Sequence, residues 1–205
     1  MRSKGGFVSP LLSVVYVNRF LKHWRLSGRG EVLRAHVVSY ADDFVILSRR
    51  HAEEALMWTK TVMTKLGLTL NEAKTSVKDA RRESFDFLGY TLGPRPLPNG
   101  GRWYLGASPS KKSVQRIKTK VSDLLTPGNK SAWPKVQTRL NRLWGGWAAY
   151  FSHGALASAY RAVDEHVYDR GRDFLRKRHK APRRGTKRFS RKHAERVNDF
   201  ETAGV

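Results

Sequence analysis

The chain is 205 residues long and carries a formal net charge of +23, with 40 Lys and Arg against 17 Asp and Glu; so large an excess implies a polyanionic partner, RNA or DNA, and is foreign to an ordinary soluble enzyme. The 40% hydrophobic and 11% aromatic content is enough for a packed core and excludes a disordered polycation. Cysteine is absent, which excludes disulfides and any zinc knuckle and fits a reducing compartment.

In chain order, Ser9 before Pro10 sets an N-cap beside a first-turn proline, and Leu11, Leu12, Val14, Val15, Tyr16, Phe20 and Leu21 give residues 10–24 the apolar surface of a buried helix. Beyond Ser27-Gly28-Arg29-Gly30, residues 32–40 and 44–48 are β-prone stretches around the polar turn Ala41-Asp42-Asp43. That is the pattern of a β-hairpin with two aspartates at its tip. Over residues 51–66, Ala55, Leu56, Thr59, Val62, Met63 and Leu66 recur at helical spacing, and Gly67 stands where a left-handed C′ residue belongs. A strand and turn are expected over residues 68–75. Phe85-Asp86-Phe87-Leu88-Gly89-Tyr90 alternates like a strand, and residues 93–101, rich in Gly and Pro, form the clearest break in the chain. After it, Ser108-Pro109 caps a helix carrying Val114, Ile117, Val121, Leu124 and Leu125, which Pro127-Gly128-Asn129 ends. Two more helices are expected over residues 134–151 and 156–177. The fold class expected is α+β: antiparallel β-hairpins with packed helices over residues 1–98, an all-α three-helix bundle over 99–180, and a basic tail over 181–205.

The longest apolar stretch, residues 7–17, carries Ser9, Pro10 and Ser13 and falls short of the ~20 residues of a membrane span. The start, Met1-Arg2-Ser3-Lys4-Gly5-Gly6, lacks the apolar region of a secretory signal. Neither membrane nor export is expected, and a bacterial cytoplasm or an organellar matrix is the expected location. Basic residues crowd the end, in Arg176-Lys177-Arg178-His179-Lys180 and Arg183-Arg184, where a solvated tail is the alternative to a nucleic-acid contact.

Asp42 and Asp43 are the residues with the most chemistry to offer. Two adjacent carboxylates raise each other's pKa unless a cation neutralises them, and Mg2+ is the natural candidate. Carboxylates of this kind clamp two metals about 4 Å apart in polymerase sites. On the residues alone, a solvated turn explains the pair better than a metal site does, because Asp favours turns. Trp133, Trp144, Trp147, Tyr150 and Phe151 lie among basic residues and suggest base stacking, yet Leu140, Leu143, Trp144, Trp147 and Phe151 follow a three-and-four rhythm that assigns most of these rings to a core. Lys111, Lys112, Arg116, Lys118, Lys120, Arg139 and Arg142 are the better phosphate contacts.

Tyr40-Ala41-Asp42-Asp43-Phe44, with the upstream Gly5-Gly6-Phe7-Val8-Ser9-Pro10-Leu11-Leu12, resembles the catalytic core of reverse transcriptases, and more closely of those encoded by group II introns. Further stretches match in the family's order. Leu70-Asn71-Glu72-Ala73-Lys74-Thr75 resembles its next motif, Phe87-Leu88-Gly89-Tyr90 its primer-grip hairpin, and Pro109-Ser110-Lys111-Lys112-Ser113 the start of its thumb. Leu140-Asn141-Arg142-Leu143-Trp144-Gly145-Gly146-Trp147-Ala148-Ala149-Tyr150-Phe151 is similar to the maturase-specific segment. The resemblance implies a polymerase palm followed by a thumb, magnesium as cofactor, and group II intron RNA, template–primer duplex and DNA as partners. It implies that Asp42 and Asp43 serve the metal and that Tyr40 and Ala41 line the site near the primer end. Lys74 would assist near the leaving pyrophosphate, with a surface cation as the equal alternative. Phe87, Leu88 and Gly89 would position the primer, although a plain core strand also explains the first two. Gly5 and Gly6 would admit the templating base pair where a Cβ would obstruct it.

The sequence departs from the family in one respect that bears on activity. The family takes a further metal-binding aspartate from an upstream strand, and the only carboxylate before Asp42 is Glu31. Read as the start of the hairpin's first strand, Glu31 would stand roughly 30 Å from the tip. Ser3 and Lys4 also replace the proline and glutamine of the family's Pro-Gln-Gly-Gly. The expectation is a palm remnant with a thumb that binds RNA and does not polymerise alone. The alternatives are a split polymerase completed by a separate N-terminal chain, and a splicing cofactor that stabilises intron RNA.

Overall fold

Apolar periodicity sets the first helix, α1 (Val8–Leu26), but from residue 11 onward only its C-terminal part is buried. Phe20 and Trp24 are enclosed, whereas Leu11, Leu12, Val14 and Val15 are about half exposed or more. The computed structural model describes residues 8–97 and 101–180, and the chain divides into two compact units, Met1–Asp79 and Ala80–Val205. Gly5, Gly6 and the basic tail lie outside the described residues.

In the first unit a short helix, α2 (Arg29–Val32), precedes the hairpin of β1 (Ala35–Tyr40) and β2 (Asp43–Ser48). Glu31 therefore sits on a helical turn and not at the start of a strand. The strands pair antiparallel from Ala35↔Ser48 to Tyr40↔Asp43, which leaves Ala41 and Asp42 as a two-residue loop. α3 (Ala52–Lys65) buries Ala55, Thr59, Val62 and Met63, the stripe its spacing requires. It ends in a Schellman motif: Gly67 has φ +72°, its N–H donates to the Thr64 carbonyl (3.0 Å), and the Leu68 N–H donates to the Met63 carbonyl (2.9 Å). Of the strand and turn expected over residues 68–75, the strand does not form. Leu68 and Leu70 pack on the core, and the chain turns at once through hydrogen bonds to the Asn71 carbonyl. Phe20 is fully buried at the centre of that core, its ring 5.1 Å from Phe44 and 6.1 Å from Trp58, while Trp24 meets Trp58 edge-on at 5.4 Å.

The second unit opens with a three-stranded antiparallel sheet, β3 (Phe85–Phe87), β4 (Tyr90–Pro96) and β5 (Trp103–Pro109), in the order β3-β4-β5. Here the structure corrects the sequence reading three times. The stretch expected as one strand is a hairpin, because the chain reverses at Leu88-Gly89. The Gly/Pro-rich stretch expected as a break supplies half of β4, and Pro94 and Pro96 are tolerated because β3 reaches only as far as Leu92, leaving one edge of β4 open beyond it. Ser108 and Pro109 end β5, and the cap of α4 (Lys111–Leu124) is Ser110, whose Oγ accepts the Ser113 N–H at 3.2 Å.

α5 (Trp133–Tyr150) and α6 (Ala157–Arg178) complete a three-helix bundle with α4. Ile117, Val121, Leu125, Val136, Leu140, Val163 and Phe174 form its core. Trp144 and Trp147 stack at 5.4 Å and pack half-buried against this core with Leu143, as the helical rhythm implied.

Candidate nucleic-acid interface

The hairpin of the first unit presents Tyr40, Ala41, Asp42 and Asp43 at its tip, all exposed. Ala41 is held at φ +52°, a conformation that disfavours a residue with a Cβ. The tight reversal keeps Asp42 in the loop and places Asp43 as the first residue of β2. Magnesium demands near-octahedral oxygen ligation, which two carboxylates meet only in part. Among the described residues no group of three or more His, Asp or Glu is placed to hold a metal ion. The described residues do not by themselves fit a two-metal centre. Lys74 stands exposed in the turn after α3, its N–H donating to the Asn71 carbonyl at 3.0 Å. Among the described residues no hydrogen bond or ion pair links it to either aspartate.

In the second unit the residues around Leu88 come together more tightly than the sequence foretold. Leu88 and Gly89 have φ of +49° and +81°, and positive φ at both central positions marks a type I′ hairpin turn. Leucine is a poor residue for that conformation, which costs ~1–2 kcal/mol. The surroundings hold it in place. The Tyr150 hydroxyl donates to the Leu88 carbonyl (2.9 Å), and the Tyr90 hydroxyl donates to the Tyr150 carbonyl (2.9 Å), so two tyrosines from distant elements cross-brace the turn. The Gly89 carbonyl accepts the Ser110 N–H at 2.8 Å and the Ser113 hydroxyl at 2.9 Å. A Cβ on Gly89 would lie 2.9 Å from Ser113 Oγ and 3.1 Å from Phe151 Cζ. Tyr160 completes the group, its hydroxyl between the carbonyls of Ala148 (3.1 Å) and Phe151 (2.9 Å). Burial, with Tyr90 and Asp164 nearby, raises its pKa above 10.0.

The turn is thereby bonded to the N-terminus of α4, where Lys111 and Lys112 are exposed and no acidic residue occupies the first turn. Two ammonium groups at the positive end of a helix dipole repel it, and a phosphate relieves that repulsion. Lys112, Arg116 and Lys120 continue along one row of α4 at intervals of four, and Lys135, Arg139 and Arg142 form a second row on α5, all exposed. Sequence reasoning named most of these cations but missed Tyr90, Tyr150, Ser110 and Ser113 as braces. The one signal for them was a glycine between flanking aromatic residues, a hairpin cue.

Residues 3–92 match the family model described as reverse transcriptase (RNA-dependent DNA polymerase), which defines the class of protein to which the aspartate-tipped hairpin belongs. Residues 114–193 match the model of the group II intron, maturase-specific domain. With the two in this order, the chain belongs to the group II intron reverse transcriptase/maturase family. Domains of these two kinds imply nucleic-acid binding, and the reverse transcriptase domain generally uses magnesium. No curated protein matches the chain. Among the described residues no helix is long and apolar enough to cross a membrane.

Proposed function

We propose that this chain grips RNA, as structured intron RNA or as template–primer duplex, through the Leu88-Gly89 turn and the cationic rows of α4 and α5, and that alone it does not polymerise. The observation that carries the reading is the bond from Ser110 N–H to the Gly89 carbonyl, which joins a rigid turn to an uncompensated positive helix end. Lys111, Lys112, Arg116, Arg139 and Arg142 then contact phosphates, and Phe87, Leu88 and Gly89 support the primer strand. The tryptophan rings of α5 are partly buried against the bundle core, so shape and charge, more than stacking, govern recognition.

Asp42 and Asp43 supply part of a metal clamp, with Tyr40 and Ala41 beside the primer end and Lys74 as a candidate proton donor to pyrophosphate. A further carboxylate must join them before phosphoryl chemistry is possible. The exposed apolar residues of α1, Leu11, Leu12, Val14 and Val15, favour a second reading, in which a separate N-terminal reverse transcriptase chain covers this surface and brings that carboxylate. In a third, the helical domain acts only as a splicing cofactor.

Primer extension on an RNA template with magnesium separates the three. The chain is assayed alone and with an added reverse transcriptase N-terminal half, beside Asp42→Ala, with RNA binding followed throughout. Extension by the chain alone would refute the proposal. Extension only with the added half, abolished by Asp42→Ala, establishes the split enzyme. Salt-sensitive binding without extension leaves the RNA-binding role.

A further inference from the structure

A cavity of about 310 Å³ opens between the end of α4, the connection after it and the last turns of α6. Its apolar wall is Leu125, Pro127 and Phe174, and its charged wall is Lys130, Arg170, Lys177 and Arg178, against the single carboxylate of Asp173. Arg170, Phe174 and Lys177 follow one face of α6 at intervals of four and three. Asp173 is drawn toward Arg176, 3.6 Å away, and Arg178 is anchored by donation to the Ser131 carbonyl at 2.6 Å.

Cations in the last turn of a helix ordinarily offset its negative end, and that accounts for Lys177 and Arg178. It does not account for Arg170, two turns earlier, which lines the cavity and whose Nε, like that of Arg176, is buried without a hydrogen-bond partner. A buried donor without an acceptor is costly. An anion entering the cavity would meet the charge of the Arg170 guanidinium, which lines its wall.

We propose that this cavity receives a single unpaired nucleotide of bound RNA, its phosphate against Arg170, Lys130 and Lys177 and its base against the apolar wall. The volume lies at the low end of the about 300–1,000 Å³ typical of small-molecule sites, suited to one nucleotide and too small for a duplex segment. The apolar wall favours a nucleotide over a bare phosphate, and recognition of bases turned out of a helix is the usual route to selectivity for RNA. The inference rests on the RNA-binding reading above.

The test uses the full chain and two RNA hairpins that differ only in one bulged nucleotide. Wild type is expected to prefer the bulged hairpin, and Arg170→Gln to lower that affinity roughly tenfold, the scale of one charge-assisted hydrogen bond, while binding of the paired hairpin barely changes. Lys177→Glu, at an exposed position, gives the same comparison if Arg170→Gln fails to fold. Equal losses on both hairpins would overturn the inference, since the cations would then be general phosphate contacts, and so would unchanged binding. Failure of wild type to bind either hairpin would instead sink the RNA-binding reading itself.

Discussion

Gly89→Ala is the most discriminating single change in this protein. The alanine must adopt φ near +81°, which costs ~1–2 kcal/mol. Its Cβ also meets Ser113 Oγ at 2.9 Å and Phe151 Cζ at 3.1 Å. Moving the serine away breaks its bond to the Gly89 carbonyl, worth about 1 kcal/mol. The sum is a loss of about 2–3 kcal/mol. Gly67→Ala provides the control, since Gly67 has φ +72° with nothing within 4 Å of its Cβ position, so it isolates the backbone term at ~1–2 kcal/mol. Urea denaturation followed by circular dichroism reads both changes. A loss at Gly89 no larger than that at Gly67 would show that the turn is not packed against Ser113 and Phe151.

Phe20→Ala is expected to cost about 3–5 kcal/mol, because the ring is fully buried among Trp24, Phe44 and Trp58; an equilibrium denaturation midpoint close to wild type would contradict that packing. His166 contributes a pH dependence. Burial holds its pKa below the ordinary 6.5, outweighing the Lys118 carbonyl that accepts its Nε2–H at 3.0 Å. The unfolded chain therefore takes up this proton first as pH falls, so the stability concerned is full above 6.5 and declines as pH drops through 6.5 toward the lower folded value. His166→Gln should flatten the fall in denaturation midpoint across that window, and an unchanged slope would refute the assignment. Replacing Arg139 and Arg142 together by glutamine should lower the slope of log affinity for single-stranded RNA against log salt by roughly 0.7 per lost phosphate contact, and an unaltered slope would remove the α5 row from the interface.

Much of this molecule was legible in its local sequence. The hairpin that exposes Asp42 and Asp43, the helical stripe of Ala55, Thr59, Val62 and Met63, the left-handed Gly67 and the three helices of the bundle all follow from periodicity and from residues whose backbone preferences are strong. The core role of Trp144 and Trp147 followed from their spacing. These features depend on neighbours within a few residues, and so the sequence by itself determined them.

Tertiary structure decided the rest. Pro94 and Pro96 carry the marks of a loop, yet they lie in a strand because β5 returns beside them and β3 ends before them. Leu88 is a poor turn residue, and its positive φ persists only because Tyr150, Ser110 and Ser113, remote in sequence, hold the turn's carbonyls. Leu11 and Val14 have the pattern of a buried face and are exposed, since burial depends on what packs against a helix and not on the helix alone. The same holds for Arg170, one cation among many in the sequence, which only the approach of α4 and α6 sets beside a cavity with an unanswered donor. Strand pairing, strain compensation and burial are all set by contacts between distant residues, and periodicity within a single segment carries no record of its partner.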